Sequence, residues 1–95
     1  MITLRIEHKV PDYQQWKNVF DSDPIDRKGS GVRSYSIFRP ATDRNYVIID
    51  LVFDSIQDAN KALESLKALW GKVEGSVIFQ PQANILELVE SVDYT

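Results

Sequence analysis

Apolar and polar residues alternate from Ile2 to Val10, with Ile2, Leu4, Ile6, His8 and Val10 on one face and Thr3, Arg5, Glu7 and Lys9 on the other. A period of two is that of a strand buried on one side, so the chain is predicted to open with one. Asp12 stands where a helix N-cap belongs. Gln15 follows at capping-box spacing, and Pro11 is placed to staple against Trp16. The helix predicted from there, over about 13 to 21, turns Tyr13, Trp16, Val19 and Phe20 inward. Asp, Pro, Ser and Gly dominate from Asp21 to Gly31, which reads as a loop.

Two β-rich runs come next, Val32 to Arg39 and Tyr46 to Phe53, and Pro40 to Asn45 supplies the turn of a hairpin. Ser55 then caps a second helix, with Asp58 three residues on. Ile56, Ala59, Leu63, Leu66 and Trp70 recur at helical steps, and Gly71 is the expected terminator, with Gly75 helping to turn the chain back. Ala83 to Glu90, after Pro81, is the last predicted strand.

The order is strand, helix, strand, strand, helix, strand. With right-handed crossovers it folds most simply as a ferredoxin-like α+β domain: a four-stranded antiparallel sheet with both helices on one face. The other face is left uncovered. If the helices take the wholly apolar set Val47, Ile49, Leu51 and Phe53, the open face carries Thr3, Arg5, Glu7, Tyr46, Ile48, Asp50 and Val52. That surface is too apolar for a free monomer, and face-to-face homodimerisation would cover it.

Composition narrows the classes of function. A chain of 95 residues fits one domain, spanning 1–95. A domain of this size buries roughly 65% of its unfolded surface, which makes a modest core that a partner subunit would support. Apolar residues make up 43% and charged residues 26%, as in an ordinary globular protein. The net charge of −3 and the absence of any Lys/Arg run argue against a nucleic-acid partner. No apolar run is long enough to span a bilayer, and no signal-peptide pattern is visible, so no membrane partner and a cytoplasmic location are expected. With no cysteine, disulfides, thiolate nucleophiles, iron–sulfur clusters and cysteine zinc sites are excluded.

Little in the sequence carries chemistry by motif. His8, the only histidine, ends the first strand on its helix-facing side. With an ordinary pKa on the order of 6.5 it could exchange a proton with a phenol, enol or lactone; alternatively it is a structural residue bonded to backbone. Trp16 and Trp70, joined by Tyr13 or Tyr35, could stack on a planar ligand or simply fill the core. Ser34 and Ser36 would line a cavity if they point at the helices, although no nucleophile elbow surrounds them. Asp21, Asp23 and Asp26 lack the spacing of a calcium loop, so no metal site is expected. Arg27 to Gly31 could meet an anion through backbone amides, but it precedes a strand and is no phosphate-binding loop. Arg5, Glu7 and Asp50 could form a catalytic ion cluster, but they better suit a salt-bridge network across strands or across an interface.

Taken together, His8-Lys9-Val10, Asp12-Tyr13-x-x-Trp16-Lys17, Gly31-Val32-Arg33-Ser34-Tyr35 and Val52-Phe53-Asp54-Ser55-x-x-Asp58-Ala59 resemble small bacterial proteins of the dimeric α+β barrel superfamily. The resemblance is to stand-alone proteins related to the antibiotic biosynthesis monooxygenase domain, and it covers nearly the whole chain. It implies a homodimer whose two sheets close into a shared barrel, with a pocket between sheet and helices in each subunit. The superfamily spans cofactor-free monooxygenases, haem-degrading enzymes and lactone isomerases, so the resemblance leaves the activity open. Its haem-degrading branch places a histidine ligand on the second helix. Here that helix has none, so haem degradation is disfavoured and no cofactor is expected. Two functions follow. One is the binding of a small apolar or aromatic molecule by a homodimer, with His8, Trp16, Tyr35, Ser34 and Ser36 as candidate site residues. The other is cofactor-independent oxygenation or isomerisation of an aromatic or polyketide-like substrate, with His8 managing the proton.

Overall fold

The computed structural model describes residues 1–95. Its elements run β1 (Ile2–Lys9), α1 (Tyr13–Asp21), β2 (Ser34–Phe38), β3 (Tyr46–Phe53), α2 (Ile56–Val73) and β4 (Phe79–Glu87). All strand pairs are antiparallel, in the order β2-β3-β1-β4. This is the ferredoxin-like βαββαβ arrangement. No helix is long and apolar enough to cross a membrane.

Register assigns the faces. Leu4 pairs with Leu51, Ile6 with Ile49 and His8 with Val47, and these residues face the helices. Leu4, Val47 and Phe53 are wholly buried, and they anchor a core that also takes in Ile6, Ile49, Leu51 and Trp16. The opposite face holds Thr3, Arg5 and Glu7 of β1 and Ile48, Asp50 and Val52 of β3.

Both helix starts follow the sequence. Ser55 Oγ accepts the Asp58 N–H at 3.1 Å. Asp12 caps α1 through the Gln14 N–H at 3.0 Å, one residue earlier than a capping box directs it, so the reciprocal role of Gln15 is not taken up. Helix α2 departs from expectation at its C-terminal end. It runs through Gly71 to Val73, and the chain turns at Gly75, whose φ of +90° suits a residue without Cβ. Ile56 is half exposed, and the buried positions of α2 are Ala59 and Ala62, whose small side chains let the helix settle on the core.

Strand β2 is shorter than the run Val32 to Arg39, although Arg33 already donates to the Val52 carbonyl at 2.7 Å. Strand β4 begins four residues before the expected Ala83 and includes Pro81. Proline is tolerated there because β4 is an edge strand and its pairing with β1 is bulged.

Candidate functional site

The bulge lies beside His8. Glu7 pairs with Gln82 and Lys9 with Phe79, so β4 carries one extra residue across from His8. Gln80 takes a left-handed φ of 54° within it, and Pro81 has no N–H to offer β1. Bulges of this kind recur next to functional sites, where they re-aim side chains.

The His8 ring lies inside, with the residue only 3% exposed. Its Nδ1 donates to the Lys9 carbonyl at 3.2 Å, since a carbonyl can only accept. The neutral ring therefore carries its lone pair on Nε2. Burial lowers the His8 pKa below 6.5, and the bond to Lys9 offsets this only in part. The ring is consequently neutral at pH 7. Trp16 holds its plane, edge to face, with ring centroids 5.9 Å apart. From Trp16 an aromatic row continues to Tyr13 on one side (5.7 Å) and Phe20 on the other (5.2 Å).

Between these groups lies a cavity of about 70 Å³. The sheet contributes Ile6, His8 and Ile49, and α1 contributes Trp16, Val19 and Phe20. Helix α2 adds Leu66, Leu69, Trp70 and Val73, with Val77 and Ile78 following it. The loop after α1 closes one side with Pro24, Ile25 and Arg27. Nearly all of this wall is apolar. Its polar groups are the His8 imidazole and the Arg27 guanidinium. The space lies between sheet and helices and is below the ~300–1,000 Å³ of a site for a drug-sized ligand.

Of the sequence candidates, the fold brings His8 and Trp16 together and adds Trp70. Tyr35 stands outside, against the far side of Phe20 at 5.1 Å and half exposed. Ser34 and Ser36 do not point at the helices. Ser34 pairs with Val52 and Ser36 with Asp50, which sets both on the open face, while Tyr35 and Ile37 take the helix side.

The loop aspartates serve the backbone. Asp23 Oδ1 accepts the Arg27 N–H at 2.9 Å and Asp26 Oδ1 the Gly29 N–H at 3.3 Å. Both residues sit at positive φ, which aspartate tolerates better than most. The Arg27 side chain was not a sequence candidate for the cavity. The signal for it was Ile25, the single large aliphatic residue in an otherwise polar loop, which marks that loop as packed inward.

On the open face, Arg5 forms a two-pronged ion pair with Asp50 at 2.8 and 2.9 Å. Glu7 bonds to the Tyr46 hydroxyl at 2.6 Å instead of joining that pair. The bond to Glu7, together with burial and the carboxylate's charge, pushes the Tyr46 pKa up to about 12. Arg5, Asp50 and Glu7 on this face therefore each have a partner within the subunit.

No protein-family model and no curated protein sequence matches the chain. Solved structures do. SnoaB, a cofactor-independent oxygenase from Streptomyces nogalater, superposes with a TM-score of 0.76 at 12% identity, over 98% of this chain and 97% of that one. A Deinococcus radiodurans protein described as an antibiotic biosynthesis monooxygenase gives 0.69 at 8% identity, over 100% and 99%. A dimeric ferredoxin-like protein from an uncultured marine organism gives 0.66 at 12%, over 96% and 97%. At such identities the likeness is one of fold, and that fold is the ferredoxin-like α+β arrangement expected from the sequence.

Proposed function

We propose that the chain is a homodimeric binding protein for a small planar apolar molecule, held between sheet and helices beside His8. The observation that carries this reading is an apolar cavity walled by Trp16 and Trp70, into which one neutral imidazole is set. A well-formed apolar pocket with a few convergent polar groups is the usual form of a small-molecule site. At about 70 Å³ the space must widen to admit a ring system. A ring system enters as the loop bearing Pro24, Ile25 and Arg27 moves outward.

Dimerisation through the open face is part of the same reading. Phe38 and Leu86 are substantially exposed there, flanking Ile48 and Val52. Because Arg5 with Asp50 and Tyr46 with Glu7 are already paired, covering the centre of the face strands none of these charges. A neighbour of the same fold is described as dimeric.

A catalytic version is favoured by the tautomer of His8. With Nδ1–H committed to Lys9, Nε2 is left free to take a proton from a bound phenol or enol, giving an imidazolium beside the enolate. The neighbouring cofactor-independent oxygenase has the same fold. Thermal unfolding of the purified protein against a panel of naphthols and hydroxyquinones tests the binding reading. A rise in Tm with compounds of this class, reduced by filling the cavity with Leu66→Trp, is expected. No rise with any of them would overturn it.

A further inference from the structure

Arg27 carries the one formal charge on the cavity wall, and most of its hydrogen-bonding capacity is unspent. Its side chain is only 16% exposed. It is held flat by aromatic rings, with the guanidinium carbon 4.0 Å from the centroid of Phe20 and 5.0 Å from that of Tyr35. Its polar contacts with the rest of the chain use a single nitrogen: Nη1 donates to the Phe20 carbonyl at 2.7 Å and lies 3.5 Å from Asp23 Oδ1. That carboxylate oxygen is already engaged by the Arg27 backbone N–H. A guanidinium has five N–H donors in a fixed fork, and those on Nε and Nη2 meet no protein acceptor. No fully occluded side-chain nitrogen in the chain lacks a partner, so these donors open onto accessible space.

Arg27 also borders an outer depression shared with Lys28, Arg33 and Asp23. Arg33 is paired with Asp54, at 2.6 Å, which leaves Lys28 and Arg27 facing the single acid Asp23. An apolar hollow whose wall includes a cationic fork with its Nε and Nη2 donors unspent is complementary to a molecule that is apolar at one end and anionic at the other.

We infer that the ligand of the cavity is an aromatic monoanion, a planar body bearing one carboxylate, and that Arg27 is the residue that selects it. This rests on the binding reading given above. The ring lies inward against Trp16 and Trp70, and the carboxylate stays on the Nε and Nη2 donors, in the in-plane two-pronged geometry that suits guanidinium and carboxylate. The cavity is about half the ~150 Å³ that encloses a benzene ring, so the loop carrying Arg27 shifts as the ring enters.

The test is calorimetric titration of the full chain with naphthoate and with its neutral counterpart naphthalenemethanol. Wild type is expected to bind naphthoate roughly tenfold or more tightly, as a charge-assisted pair allows. Arg27→Met should erase that preference, so that naphthoate and the alcohol bind with similar affinity. Arg27→Lys keeps stem and charge but not the fork, and it is expected to retain only part of the preference; it also serves if the Met variant does not fold. Equal affinities in wild type, or a full preference in either variant, would overturn the role of Arg27 and leave the cavity reading standing. Failure of both compounds to bind wild type would overturn the cavity reading and this inference with it.

Discussion

The Trp16 indole meets the His8 imidazole edge to face, with centroids 5.9 Å apart and ring planes inclined at 64°. One contact fixes the plane of the imidazole, and the bond from Nδ1 to the Lys9 carbonyl fixes its tautomer. The two residues come from different elements, β1 and α1, joined by the short turn through Pro11 and Asp12. Their meeting depends on strand parity at His8 and on the helical phase set by the Asp12 cap.

Burial of His8 makes stability depend on pH. Unfolding returns the ring to water, where it binds a proton near pH 6.5, whereas the folded ring does so only at lower pH. The stability tied to this residue is complete above about pH 6.5 and declines as the pH falls below that value toward the folded pKa. Urea unfolding at a series of pH values should show this decline in wild type. A His8→Gln variant should be flatter over the same range. An NMR titration placing the His8 pKa above 6.5 would contradict the account.

Much of this arrangement was legible in the sequence. Alternation in β1 and β3 set both strands and the parity of His8, and Asp12 and Ser55 marked the helix starts. Less was legible where tertiary context decides. Alternation in β2 separates Ser34 and Ser36 from Tyr35 but does not say which set faces inward; pairing with Asp50 and Leu51 of β3 does. Gly71 looks like a terminator by type, yet α2 continues past it because Val73 still packs on the core. The loop wall of the cavity depends on how residues 22–33 fold back over Phe20, which no periodicity encodes.

The glycines give a paired prediction. Gly31 has a φ of +95°, and a Cβ there would lie 3.2 Å from the Asp58 carboxyl. Gly31→Ala should destabilise the fold by more than about 1 kcal/mol. Gly71 lies within α2 with nothing near an added Cβ. Gly71→Ala should stabilise by about 0.5–1 kcal/mol. Denaturant midpoints of both variants, moving in opposite directions, are the expected result.

Phe53 closes the core at the end of β3, across from Ile2, and is wholly buried. Phe53→Ala should cost about 3–5 kcal/mol, as lost transfer energy and an unfilled cavity combine. Urea unfolding that placed the cost under about 1 kcal/mol would show that this end of the sheet is not packed as described.

Asp50 separates a free sheet face from a covered one. In an isolated subunit its pair with Arg5 is partly exposed, and Asp50→Asn should cost at most about 1 kcal/mol. In a face-to-face dimer the same change leaves Arg5 buried without a partner, at about 3–5 kcal/mol, and should drive dissociation. Sedimentation equilibrium is expected to show wild type as a dimer at micromolar concentration and Asp50→Asn shifted toward monomer. A monomeric wild type would refute dimerisation.

The central claim is that a planar apolar ligand enters between α1, α2 and the sheet beside His8. The chain has two tryptophans and one histidine, and all three line the cavity, so their ring resonances report on it without ambiguity. The most direct measurement is an NMR titration with naphthol that follows both indole N–H signals and the imidazole carbons. All three are expected to shift together and saturate, while the amides of Ser34 and Ser36 on the open face stay in place. Shifts confined to the open face, or none at the three rings, would contradict that claim.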